Sequence, residues 1–509
     1  MTRDQPYLAS FPVGHHDAEL LRSVYPKDWR NPTPKGRYNL VVIGGGPAGL
    51  VAARGAAALG ATVALIERHL VGGDCLNVGC VPSKTLIRSS RLYAEMRNAA
   101  HYGVRAPKDV EVDFGLAMDR MRNLRARIGK TDSVVQLAAE GIDVYFGQAR
   151  FNGPDRITVE GVELQFAKAL IATGSRAKLP DIPGLAETDH LTNETMFNLI
   201  RKPDRLLVIG GGPLGCEMAQ AFCRLGTHVI LVQDDPMFLP GEERDAAQIL
   251  SDSLAQDGVE IRLNTSVVAV RLSEGQKCAD LLREGDTTTV MVDEILTGIG
   301  RVPNIDGLDL LSAGVMAGAD GVTVDDFMRT TNRRIFAAGD VCLEHKFTHT
   351  AEASARIAVR NALFLGRRRL SKLVIPWCTY TDPEIAHVGL YPFGARQAGI
   401  PVRTFTILMH DVDRAVTDGK EAGFVKLHVR QNSDRILGAT VVAPHAGEMI
   451  NGISLAIGSG MGLSALSEVI HAYPTQAAAI RMAANAYQRS RLTPLVRRLA
   501  SRWLAWTRH

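Results

Sequence analysis

The chain has 509 residues, 46% apolar and 22% charged, enough for three or four domains with packed cores and ordinary for a soluble globular protein. A formal net charge of +4 is too small at this length to imply a nucleic-acid partner. Seven scattered cysteines, an odd number, exclude a secreted disulfide framework and fit a reducing, cytoplasmic setting with one special dithiol.

Met1 to Ser10 carries Arg3, Asp4 and Pro6 with no apolar run, so no secretory signal is expected. No stretch reaches the roughly 18 apolar residues that a membrane span needs. Residues 1–37, with Pro6, Pro12, Pro26, Pro32 and Pro34, read as an arm, and Ala18 to Tyr25 as a short helix against the body.

Tyr38 to Ile43 is a buried-strand pattern followed at once by Gly44-Gly45-Gly46-Pro47-Ala48-Gly49. An alanine-rich helix through Leu59 and a strand from Thr62 to Glu67 complete a strand–turn–helix–strand unit. The pattern recurs with Arg205 to Ile209, Gly210-Gly211-Gly212-Pro213-Leu214-Gly215 and His228 to Gln233. In each copy 23 positions separate the first glycine from the residue ending the second strand. One such turn is a weak signal, whereas two in matching contexts indicate two dinucleotide folds. The glycines let backbone approach a pyrophosphate, and the helix start behind them favours its charge. Glu67 is placed to accept hydrogen bonds from an adenosine ribose; the plainer alternative is a glycine turn with a surface acid.

Close behind the first unit comes Gly72-Gly73-Asp74-Cys75-Leu76-Asn77-Val78-Gly79-Cys80-Val81-Pro82-Ser83-Lys84. A metal pair would want further Cys or His ligands at short spacing, and none follow; two inert buried thiols are the other alternative. Pro82 suits a helix start, where backbone N–H groups lower a thiol pKa, and Lys84 adds positive charge. The pair therefore reads as a dithiol that opens and closes beside a bound dinucleotide. Glu217, on the helix behind the second turn, is either a partner for Lys84 or a solvent-facing acid.

Between the two units lie an arginine-rich helical stretch, Ser89 to Ala139, and a strand-rich one, Ile142 to Ala172. Gln233 stands where an acid would bind a ribose hydroxyl, and Asp234 and Asp235 follow it. Two acids repel a 2′-phosphate, which favours NADH over NADPH unless Arg262 or Arg271 folds in. Beyond Gly300 the chain returns to the first fold until about Gly366. From Pro376 short strands, Gly423 to Val429 and Ile436 to Val442, give way to helices from Gly447 to Tyr487, an α+β texture.

These residues closely resemble the class I pyridine nucleotide–disulfide oxidoreductases over about Tyr38 to Arg491. The dithiol motif, both glycine turns, Ala172-Thr173-Gly174 and the run from Thr331 through Ile335-Phe336-Ala337-Ala338-Gly339-Asp340 occur in that family's order. The resemblance implies an α/β fold: two Rossmann-like dinucleotide-binding domains, the FAD domain split by the NAD(P) domain, plus a C-terminal α+β dimerisation domain. Expected boundaries are 38–185 and 306–370 for FAD, 186–305 for NAD(P)H, 371–490 for dimerisation and 491–509 for a basic amphipathic tail.

By the same resemblance, FAD is held by Gly44, Gly46, Pro47, Ala48, Gly49, Glu67, Arg68, Gly73, Lys84, Thr173, Gly174, Gly339 and Asp340, the last at the ribitol chain. NADH or NADPH is held by Gly210, Gly212, Gly215, Gln233 and Gly300. Lys84 and Glu217 sit near the flavin N5, hydride passes to the flavin, and electrons pass on to a Cys75–Cys80 disulfide. Cys80 is then the flavin-contacting thiol and Cys75 the one that attacks substrate. A homodimer would share each active site between chains.

Disulfide-reducing members carry a His base followed five residues later by Glu, but His471-Ala472-Tyr473-Pro474-Thr475-Gln476-Ala477-Ala478 has Tyr473 and Ala478 there. His471 matches only the flanking histidine. A phenol with a pKa near ~10 is a poor proton shuttle at neutral pH. Mercuric reductases carry a tyrosine at this point, and Thr381-Asp382-Pro383-Glu384 and Val442 to Glu448 also lie nearer that subgroup. The chain lacks that subgroup's N-terminal CxxC domain and C-terminal cysteine pair, although Cys75 and Cys80 alone can coordinate Hg(II) as substrate. No structural metal is expected. The leading reading is reduction of a soft metal–thiolate such as Hg(II). A dihydrolipoamide dehydrogenase-like disulfide/dithiol oxidoreductase is the alternative, and a non-catalytic flavin-bearing scaffold the third.

The tail from Arg491 interleaves Arg497, Arg498, Arg502 and Arg508 with Leu495, Leu499, Trp503 and Trp506. It reads as a weak contact with an anionic membrane surface, as packing along the dimer or as a loose tail.

Overall fold

The computed structural model describes residues 14–508 except 106, 108 and 109, so the first part of the arm and His509 lie outside the described residues. The chain forms two compact units: residues 1–236 with 257–372, and residues 237–256 with 373–509.

The first unit is built on a larger mixed sheet, parallel except for the antiparallel pairings of Arg156–Val159 with its two neighbours, and a smaller parallel one. In the larger, the strands run in the order Ile142–Phe146, Val63–Glu67, Arg37–Ile43, Val162–Ile171, Arg156–Val159, Ala149–Gly153, with Ile335–Ala337 also pairing with Val162–Ile171. Leu40 faces Val63 and Ile43 faces Ile171 in parallel register. Every residue of Val63–Glu67 is buried, as expected of a strand covered on both faces. The smaller sheet runs Glu260–Arg262, His228–Val232, Arg205–Ile209, Glu294–Thr297, all parallel. An antiparallel meander, Ser266–Ser273, Gln276–Arg283 and Asp286–Val292, follows it in the chain before Glu294–Thr297.

The two glycine turns are the same object twice. Gly44 and Gly210 have φ of 107° and 106°, a left-handed conformation open to glycine. Pro47 and Pro213 start the helices Pro47–Ala58 and Pro213–Arg224. A Cβ on Gly49 would lie 1.8 Å from the Gly44 carbonyl oxygen, and one on Gly215 1.9 Å from that of Gly210. Helix and strand thus approach closer than any other residue permits.

The arm helix spans His15–Val24, beginning three residues before its expected start. The reason is Asp17, which is drawn inward to the fully buried Arg125 of helix Phe114–Gly129 at 2.8 Å. Beyond it the Trp29 indole donates to the Val144 carbonyl at 3.1 Å, and the Asn31 amide brackets Phe146 through two 2.8 Å bonds. The arm therefore caps the edge strand of the larger sheet, removing an open row of pairing groups.

The second unit holds a five-stranded antiparallel sheet in the order Pro376–Thr379, Glu384–Gly389, Ile436–Ala443, Phe424–Arg430, Val402–Leu408. Its core gathers Val425, Leu427 and Val441 with Ile453 and Ala483 of helices Ala446–Gly458 and Ala478–Ser490. Residues 237–256 are tied to this sheet, where Lys426 Nζ lies 2.5 Å from Asp245 and the Tyr391 hydroxyl 2.5 Å from Glu242. Among the described residues no helix is long and apolar enough to cross a membrane.

Candidate active site

Gly72, at φ 97°, caps the short helix Gly73–Asn77 that carries Cys75, and Gly79 caps helix Cys80–Arg97. Cys80 is therefore the first residue of an 18-residue helix, where N–H groups stabilise an anion. Both sulfurs are free thiols, Cys75 half-buried and Cys80 exposed. The Cys80 sulfur lies 3.5 Å from the hydroxyl of Thr348, itself the first residue of helix Thr348–Leu363. Two helix starts thus meet at the dithiol. A hydrogen bond from Cys75 is the main influence holding the Cys80 thiol down to about 6, with Thr348 and Lys84 helping and burial opposing. The same bond, with burial, pushes Cys75 up. In the reduced pair one sulfur is a thiolate and the other keeps its proton.

One turn along that helix, Lys84 Nζ lies 2.7 Å from Glu217 Oε2. Cys75, Cys80, Lys84 and Glu217 are thus brought into one neighbourhood from the redox loop and the helix of the second glycine turn.

The first turn forms a bare backbone cradle. A Cβ on Gly44 would lie 2.3 Å from Ala172 O, and one on Gly73 2.6 Å from the Gly46 Cα. Glu67 accepts backbone N–H bonds from Gly45 and His69, both 2.6 Å, and its burial pushes the carboxyl upward. Beside it a cleft is lined by Gly44, Glu67, Arg68, Gly147, Thr173 and Asn304. Thr173 is anchored by its hydroxyl on Asn304 O at 2.7 Å, and the Gly174 carbonyl accepts from Asn304 N at 2.9 Å. Gly339, at φ 76°, leaves room against Ala48, and Asp340 accepts from the Ser175 hydroxyl at 2.7 Å. Burial pushes the Asp340 carboxyl up. Glycines that a Cβ would fill, a carboxylate at the strand end and Asp340 beyond fit an extended dinucleotide such as FAD.

At the second turn, a Cβ on Gly210 would lie 2.6 Å from Gly298 O, and Gly212 caps the helix start. The Gln233 backbone bonds to Arg262 O at 3.0 Å, and Gly300 has φ 124°. Arg262 is held by Glu260 through contacts of 2.7 and 2.6 Å, and Arg271 by Asp280. Both arginines are committed to acids.

His471 and Tyr473 belong to the second unit. The exposed Tyr473 hydroxyl donates to Asp413 at 3.1 Å, which pushes the phenol pKa up, and His471 Nδ1 pairs with Val469 O at 3.1 Å.

Three polar residues at the first site escaped the sequence reading. Arg301 pairs with Asp74 and bonds the Ser175 hydroxyl at 2.7 Å, and Thr348 touches Cys80. The run Gly300-Arg301-Val302-Pro303-Asn304 was a usable signal for Arg301, since a charged residue follows a glycine at a strand end. Thr348 carried none.

Residues 38–356 match the pyridine nucleotide-disulphide oxidoreductase family, and residues 375–484 match that family's dimerisation domain. A mercuric reductase of Staphylococcus aureus is 32% identical, aligned over 89% of this chain and 83% of its own. A dihydrolipoyl dehydrogenase of Thermus scotoductus is 33% identical, over 88% and 97%. Among solved structures, LpdA from Mycobacterium tuberculosis superposes with a TM-score of 0.80 at 30% identity, covering 88% of this chain and 99% of that one. The Cu(II) complex of RclA, an HOCl-induced flavoprotein disulfide reductase of Escherichia coli, gives 0.79 at 28%, covering 89% and 99%.

Proposed function

The chain belongs to the pyridine nucleotide–disulphide oxidoreductase family, whose members bind FAD and use NAD(P)H, and on that premise we propose that it reduces a soft metal–thiolate such as Hg(II). The overall reaction is NADH plus Hg(II) giving NAD⁺, a proton and Hg(0). FAD, when bound in the cradle between Gly44 and Asp340, supplies the two-electron conduit between nicotinamide and disulfide.

The residues of the chain do the rest. Cys80 provides a thiolate at neutral pH, and Cys75 brings a second sulfur that exchanges into the metal–thiolate, its proton leaving on the displaced thiol as the new metal–sulfur bond forms. Lys84, paired with Glu217, sets positive charge one turn beyond Cys80. Arg301 and Ser175 orient Asp340.

Tyr473 carries the choice of metal over disulfide. Its hydroxyl donates to Asp413, so the phenol is raised still further from neutrality. Disulfide turnover needs a base to take the proton that Cys75 retains, whereas metal capture does not. We place Tyr473 and His471 at the active site of the partner chain in a homodimer. The domain division is 38–185 with 306–370 for FAD, 186–305 for the nicotinamide and 371–490 for dimerisation, and cysteine usage supports a cytoplasmic location. The committed Arg262 and Arg271 support NADH over NADPH.

The test is anaerobic NADH oxidation with Hg(II) or Cu(II) in excess thiol, lipoamide and glutathione disulfide as acceptors. Stimulation by the metal, abolished by Cys80→Ser and weak with lipoamide, is the expected result. Strong lipoamide turnover with no metal response would establish the second reading, a disulfide oxidoreductase, which the dihydrolipoyl dehydrogenase relatives favour.

A further inference from the structure

The last helix, Pro494–Trp506, lies outside the region matched to the dimerisation domain, which ends at residue 484. Its start is well specified: Pro494 occupies the first position and the Thr493 hydroxyl accepts from Val496 N at 3.3 Å. None of its thirteen residues is buried.

With ~100° between successive residues, Leu495, Val496, Leu499, Trp503 and Trp506 fall within one arc, Arg502 flanks that arc, and Arg497, Arg498 and Ser501 lie away from it together with Leu504. The apolar side faces solvent, with Leu499, Trp503 and Trp506 exposed by 56, 62 and 69%. The two indoles stand together, ring centroids 5.1 Å apart.

Charge selects the occupant. No Asp or Glu follows Glu468, while residues 491–508 hold five arginines. Removing those five from the 58 cationic residues leaves 53 against 54 acids, so the chain's positive balance resides in this tail. A second copy laid on the same face would bring arginine flanks together with no acid in either tail to offset them. A flat anionic surface meets both requirements: headgroups for the arginines, and an interfacial zone that accepts indoles with their N–H groups wet.

We propose that helix Pro494–Trp506 is an in-plane anchor that binds the protein reversibly to an anionic lipid bilayer. The helix lies along the interface without crossing it. The proposal is independent of the redox reading.

The experiment is co-sedimentation of the full-length holoenzyme with phosphatidylcholine vesicles, with and without about one-third phosphatidylglycerol. Partitioning onto the anionic vesicles should exceed that onto neutral ones by about tenfold or more and fall with added salt. The double variant Trp503→Ser/Trp506→Ser should lose about tenfold in partitioning at unchanged NADH oxidation. The triple variant Arg497→Gln/Arg498→Gln/Arg502→Gln should lose the preference for phosphatidylglycerol. Equal recovery in the supernatant with both vesicle types, or binding that neither variant changes, would overturn the proposal. So would a lipid-free oligomer that dissociates in the tryptophan variant, since the face would then be covered by a second copy.

Discussion

Lys84 Nζ lies 2.7 Å from Glu217 Oε2, joining the redox helix to the helix behind the second glycine turn across 133 positions of sequence. The Glu217 side chain is only 5% exposed, so removing Lys84 takes the counter-charge away from a nearly buried carboxylate. A double-mutant cycle of Lys84→Met and Glu217→Gln should give a coupling of about 1–2 kcal/mol in urea unfolding. Additive single effects would mean the pair contributes nothing beyond its parts.

The Cys80 thiol titrates near 6 because Cys75, and after it Thr348 and Lys84, favour the thiolate. Alkylation of the Cys80 peptide in reduced enzyme should therefore rise through about pH 6. Thr348→Val should move that midpoint up by about one unit. Since the folded value lies below the free-thiol value of 9.0, this group's contribution to reduced-state stability is complete above 9 and disappears as the pH falls through about 6. An unmoved midpoint in Thr348→Val would detach the hydroxyl from the thiolate.

Arg262 is committed to Glu260 beside the end of the strand that leads to Gln233. The expected kcat/KM ratio favours NADH over NADPH by about tenfold or more, and Glu260→Gln, which releases the guanidinium, should narrow it. Steady-state kinetics with both nucleotides decide the point; a ratio indifferent to Glu260 would remove Arg262 from the argument.

Asp17 and Arg125 form a buried pair, and Arg125 also donates to the carbonyl of Asn77, between the two redox cysteines, at 2.8 Å. Asp17→Ala should cost about 3–5 kcal/mol, because it removes the carboxylate that offsets a fully buried guanidinium charge. Asp17→Leu with Arg125→Met should recover most of that in urea unfolding.

The readable parts of the sequence were those where the backbone itself is constrained. Gly44, Gly49, Gly210 and Gly215 announce close helix–strand approach by composition, and Cys75 to Lys84 announces its chemistry by spacing. Contacts built from ordinary polar residues were silent. Asp17 with Arg125, Asp74 with Arg301 and Cys80 with Thr348 meet across more than a hundred positions. No periodicity marks such pairs, and topology alone brings them together. The early start of the arm helix has the same origin, since Asp17 reads as a surface acid until its buried partner is known.

The most direct measurement is a thiol count in denaturant on enzyme quenched before and after anaerobic reduction by NADH. The chain holds seven cysteines, so a Cys75–Cys80 disulfide predicts five titratable thiols in the oxidised holoenzyme and seven after reduction. An identical count in both states would contradict the claim that electrons leave through this pair.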